Sequence, residues 1–92
     1  MKLVVRDEAA DDLEDIFAWI AKDSATAAVA MLRRLRARMH SILLPELVHT
    51  GRPGDATGTR ELVEAPYVIV YEVDEKRHVV TILSVMHTAQ ER

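Results

Sequence analysis

The chain has 92 residues, 49% of them hydrophobic, with three glycines, three prolines and no cysteine. This fits one globular domain spanning 1–92 and excludes disulfides and thiolate chemistry. A net charge of −3 is the wrong sign for a generic nucleic-acid binder, whose affinity rests on a basic excess. The apolar run in MKLVVRDEAADD is too short for a signal peptide or a membrane span, so the expected setting is cytoplasmic, with no membrane partner.

Lys2 to Arg6 reads as a first strand. Asp7 is placed as the N-cap of a helix whose opening turns carry Glu8, Asp11 and Asp12, where negative side chains favour the positive end of the helix dipole. Leu13, Ile16, Phe17 and Ile20 follow at i, i+3, i+4 and i+7, one apolar stripe ending near Lys22. Ser24 caps a second helix, in which Ala28, Met31, Leu32, Leu35, Met39, Ile42 and Leu43 keep the helical period until Pro45 stops it. So short a break between the helices predicts an antiparallel hairpin.

Charge is segregated by element. Residues 1–23 hold seven acids against three bases, residues 24–44 hold four arginines and no acid, and residues 45–92 hold eight acids against five bases. Pairing of Arg33, Arg34, Arg36 and Arg38 with Asp11, Asp12, Glu14 and Asp15 of the first helix is the expected use of the arginines.

Residues 45–58 contain two prolines and all three glycines and read as loop. Thr59 to Glu64, Tyr67 to Val73 and His78 to Val85 read as strands, with a break at Ala65 and Pro66 and a hairpin turn over Asp74 to Arg77. The fold expected is α+β, in the order β-α-α-β-β-β, with a helical hairpin on one face of a small, mainly antiparallel sheet. Simple alternation sorts the last strand into His78, Val80, Ile82, Ser84 and Met86 against Val79, Thr81, Leu83, Val85 and His87. Neither set is polar enough for a solvated face, so a second polypeptide is expected against the side the hairpin leaves open.

The run DLEDIFAWIA at Asp12 to Ala21, GRPG at Gly51 to Gly54, GTRELV at Gly58 to Val63, YVIVYEV at Tyr67 to Val73 and VMHTAQ at Val85 to Gln90 together resemble the RelE/ParE superfamily of type II toxin-antitoxin toxins. The resemblance spans nearly the whole chain. It implies a toxin neutralised by a cognate antitoxin that folds onto it, with a homodimer or a toxin-antitoxin heterotetramer as the assembly and regulation of the shared operon through the antitoxin's DNA-binding part. No cofactor and no metal are expected.

The superfamily has two outputs. ParE-like members poison DNA gyrase without chemistry of their own; RelE-like members cut messenger RNA on the ribosome. For the second, the 2′-hydroxyl needs a base, the phosphorane a cation and the leaving oxygen an acid. Arg60 is the candidate cation and His87 the candidate acid. Against them stands the net acidic 45–92 segment, which would forfeit the electrostatic attraction that ribosomal RNA offers a basic surface. The expected function is therefore gyrase inhibition, with the ribonuclease as the alternative and a non-toxic binding module of the same fold as the second alternative.

Each candidate also has a structural reading. Arg60 lies near Glu61 and Glu64 and could form a strand-end ion pair; His87 could be a hydrogen-bonded residue at a strand end; Tyr67 and Tyr71 could be core or rim packing. Trp19 flanks the helical stripe, where it seals the hairpin edge or meets a partner. The candidate partner-binding residues are Trp19, Arg60, Tyr71 and His87. His40, His49 and His78 show no metal-ligand spacing.

Overall fold

The structure, a computed structural model, describes residues 1–90. Strand β1 (Lys2–Val5) leads into helix α1 (Asp7–Ala21) and helix α2 (Ala25–Ser41). A loop then reaches β2 (Arg52–Pro53), followed by β3 (Thr59–Glu64), β4 (Tyr67–Asp74), β5 (Val79–His87) and a 3-10 turn at Thr88–Gln90. The sheet order is β1-β5-β4-β3-β2. Only the β1–β5 pair is parallel, so the first strand lies beside the last and the helical hairpin crosses one face. Among the described residues no helix is long and apolar enough to cross a membrane.

The α+β order holds, with one strand more than expected. Strand β2 escaped notice because its two residues lie in the Gly- and Pro-rich loop; Pro53 is tolerated because β2 is an edge strand, where a missing N–H interrupts no ladder beyond. Ser24 caps α2 as expected, its hydroxyl accepting from the Ala27 N–H at 3.1 Å. Asp7, placed as a cap, is instead the first residue of α1; Arg6 holds the cap position with no side-chain hydrogen bond.

Beneath the hairpin, Ala9, Leu13 and Ile16 of α1 and Leu35, Met39 and Ile42 of α2 and its cap pack on Leu62, Tyr67, Ile69, Tyr71, Val80, Ile82 and Val85. Full burial of a side chain such as Leu35 contributes about 2 kcal/mol in transfer alone.

The last strand corrects the alternation expected for it. Val70 faces Ser84 but Tyr71 faces Ile82, so Leu83 is an extra residue and the strand changes phase there. Val80, Ile82, Val85 and His87 therefore share the hairpin side, while Thr81, Ser84 and Met86 face away with Val68, Val70, Glu72, Glu61 and Val63. The strand only looked oily on both sides because its register shifts midway. The open face is mixed in polarity; on it Val68 is fully buried between its cross-strand neighbours Val63 and Met86. The face assignment that simple alternation gave β5 is thus corrected, although Val4 and Val63 remain exposed on the open side. Large exposed apolar side chains stand mostly elsewhere, on the hairpin and its flanks, with Trp19 the most exposed at 68%.

The helix–helix ion pairs are also corrected. Arg34 Nη2 meets Glu64 at 2.7 Å and Arg38 Nε stands 3.8 Å from the same carboxylate. Among the described residues no ion pair links α2 to α1. Glu64 ends β3 on the hairpin side, facing Tyr67, and so lies within reach of the arginine face of α2.

Candidate functional site

The candidate residues gather at two places. At one end of the sheet, Arg60 and Tyr71 face each other across β3 and β4. Arg60 Nη1 donates to the carbonyl oxygens of Gly51 at 2.7 Å and His49 at 3.3 Å. The Tyr71 hydroxyl donates to the Val48 carbonyl at 2.8 Å and accepts the Gly51 N–H at 3.1 Å. Both side chains bind the loop that enters β2. Tyr71 is fully buried, so its place as a partner-contacting residue is corrected: it presents no surface. The Arg60 guanidinium braces loop carbonyls and not the expected strand-end carboxylates.

Beside them Arg52 Nε donates to Glu61 Oε1 at 2.9 Å. Glu61 is 5% exposed, and a buried carboxylate requires such a partner. Gly51 sits where these groups converge. A Cβ there would stand 2.7 Å from both the Glu61 carbonyl oxygen and the Tyr71 hydroxyl, which explains the first glycine of the GRPG run.

At the other end, α1 crosses the ends of β4 and β5 and leaves a groove of about 520 Å³ lined by Asp12, Asp15, Trp19, Tyr67, Val85 and His87, with Ile16 at its base. Residues 12, 15, 16 and 19 fall at i, i+3, i+4 and i+7, so one helix face supplies the acidic wall. The facing wall is aromatic: Tyr67 and His87 meet edge to face, centroids 5.5 Å apart and planes at 86°. His87 Nδ1 accepts the Ala89 N–H at 3.1 Å, which positions the ring. Asp12 Oδ2 accepts the Val85 N–H at 2.9 Å. Strand β1 pairs with β5 only as far as Ile82, and beyond that point the carboxylate satisfies a donor that no strand reaches.

Trp19 does not seal the hairpin edge. Its ring is largely open to solvent and carries the Lys22 ammonium 4.9 Å from the centroid. The structure therefore brings Trp19 and His87 to one groove and leaves Arg60 and Tyr71 at the far end. Along β4, Arg60 lies opposite Tyr71 and His87 opposite Tyr67. Four residue steps and two strand spacings separate them, about 16 Å between backbones.

Sequence reasoning missed Asp12, Asp15 and Tyr67 as groove residues. The helical spacing of Asp12, Asp15 and Trp19 was a usable signal; the meeting with β5, 73 positions along the chain, was not. Among the described residues no cluster of His, Asp and Glu is arranged to hold a metal ion. His49 pairs with Glu75 at 2.8 Å and His40 Nδ1 lies 2.9 Å from the Arg36 carbonyl.

A two-helix hairpin on a five-stranded mixed sheet, with one parallel edge pair and the other three pairs antiparallel, is the fold of the RelE/ParE toxins. The chromosomal ParDE system of P. aeruginosa superposes with a TM-score of 0.80 at 22% identity, covering 95% of both chains. The RelBE2 complex of Mycobacterium tuberculosis gives 0.70 at 20% identity, over 94% of this chain and 88% of that one. The intact E. coli RelBE complex gives 0.67 at 15% identity, over 94% of both. In sequence, the Y4kP protein of Sinorhizobium fredii is 40% identical over 81 residues, 86% of this chain and 79% of its own length. The model of the ParE toxin of the type II toxin-antitoxin system parDE matches residues 3–92. The chain belongs to the ParE toxin family.

Proposed function

We propose that this toxin inhibits DNA gyrase in the cytoplasm, performs no nuclease chemistry, and is silenced by a cognate antitoxin that binds it directly. The observation that carries the reading is the fate of the two residues a nuclease would need. Arg60 is tied to the Gly51 and His49 carbonyls, and the β4 register holds His87 far from it. A cation and an acid acting on one phosphodiester must reach the same few atoms.

Charge supports the same reading. Residues 45–92 are net acidic, and Glu61 and Glu64 hold Arg52, Arg34 and Arg38 in ion pairs, which leaves less basic surface for ribosomal RNA. Membership in the ParE family and the fold shared with complexes named as toxin-antitoxin systems support an antitoxin partner.

The test is expression without the antitoxin, sampled in the first minutes. Chromosomal DNA breaks that precede any loss of message, prevented when the neighbouring gene is co-expressed, are expected. Translation arrest with cuts inside ribosome-bound codons, arriving before any DNA damage, overturns the proposal in favour of the ribonuclease.

A further inference from the structure

The groove between α1 and the ends of β4 and β5 combines features that single out one kind of ligand. Trp19 offers an exposed indole face, and the structure already places a cation on it, the Lys22 ammonium at 4.9 Å. Four residues earlier on the same helix face stands Asp15, exposed and paired with no other described residue. Asp12 is held in place by the Val85 N–H. Tyr67 and His87 close the far side as a fixed edge-to-face pair. The walls are aromatic and acidic together.

An anion would meet two carboxylates here, and an aliphatic side chain would desolvate Asp15 without giving it a partner. A compact ammonium is a point charge that can neither stack flat on the indole nor donate a parallel pair of hydrogen bonds. A guanidinium does both, because its flat face stacks on an indole while its edge donates two parallel hydrogen bonds to a carboxylate. We propose that this groove is a receptor for an arginine side chain of the antitoxin, which stacks on Trp19, displaces Lys22 and pairs with Asp15. The source of the arginine rests on the antitoxin partnership proposed above; the preference for a guanidinium rests on the groove alone.

The test is a nuclear magnetic resonance titration of the whole ¹⁵N-labelled chain, followed at the Trp19 indole N–H and the Val85 amide. The probes are arginine amide, its neutral isostere citrulline amide, and lysine amide. Arginine amide is expected to shift both resonances with an apparent Kd at least fivefold below those of the other two. Asp15→Asn is expected to raise that Kd to the citrulline value while leaving the other resonances of α1 in place. Equal binding of citrulline or lysine amide, or no shift with arginine amide, overturns the guanidinium preference.

In the purified complex with the antitoxin, the Trp19 indole should move in the same direction and no longer respond to arginine amide. An indole resonance unchanged by the antitoxin, or still titrating with arginine amide, refutes the antitoxin as the source. Neither outcome depends on whether the cellular target is gyrase or the ribosome, so a failure here is distinct from a failure of that reading.

Discussion

Arg60 and Tyr71 face each other across two strands and hold the same glycine: the guanidinium takes the Gly51 carbonyl at 2.7 Å and the phenol takes its N–H at 3.1 Å. Through this pair the loop between α2 and β2 is fixed to the sheet, and the GRPG run that marks the sequence becomes a joint.

Tyr71→Phe removes a buried hydroxyl that serves two backbone groups. The Val48 carbonyl and the Gly51 N–H are left unpaired, a loss of about 2 kcal/mol. Urea unfolding should show a lower midpoint at unchanged slope. Arg60→Ala should also cost about 1 kcal/mol, since it loses a charged hydrogen bond. A purely catalytic Arg60 would leave the midpoint unmoved.

Gly51 and Gly58 should respond differently to alanine. At Gly51 the new methyl has no room beside the Glu61 carbonyl and the Tyr71 hydroxyl, so the loop must shift at a cost of about 2 kcal/mol or more. Gly58 has φ +84 and open space around it. There the penalty is conformational, about 1 kcal/mol, and Gly58→Asn should recover part of it because asparagine tolerates the left-handed region. Thermal unfolding of the three variants checks the order.

His78 follows the β4–β5 turn with φ 57, a left-handed conformation that non-glycine residues seldom adopt. His78→Gly should relieve roughly 0.5–1 kcal/mol of strain. The expected result is a melting temperature raised by a few degrees, with no change in antitoxin affinity, because the turn lies at the opposite end of β5 from His87.

Glu64→Gln discharges the partner of Arg34 and Arg38. Arg34 is about half exposed, so the loss should not exceed about 1 kcal/mol, and the difference from the parent should shrink in 0.5 M salt as screening tightens. Denaturant curves at two salt concentrations measure it.

The helices were legible in the sequence because their stripes recur within a few residues, and Ser24 announced its cap in the same way. Four of the five strands were legible as elements, β2 was not, and the faces of β5 were not. Nothing local to Leu83 signals that Ile82 and Val85 point the same way, because the phase shift is defined only by pairing with Val70 and Tyr71. The expected helix–helix salt bridges failed for a related reason: Arg34 finds Glu64, thirty positions away, and no periodicity of α2 reveals that. Trp19 and His87 were each suspected singly. Their meeting in one groove with Asp12, Asp15 and Tyr67 is a property of the crossing of α1 over β5, and the distance of Arg60 from His87 is set by the pairing of β3 and β5 with β4.

The decisive measurement uses purified gyrase, ATP, supercoiled plasmid and this chain, quenched with detergent and protease. Linear plasmid rising well above the gyrase-only level, and falling back when antitoxin is added, is the predicted result. Unbroken plasmid, alongside codon-specific cuts in message on ribosomes treated with the same preparation, would contradict it.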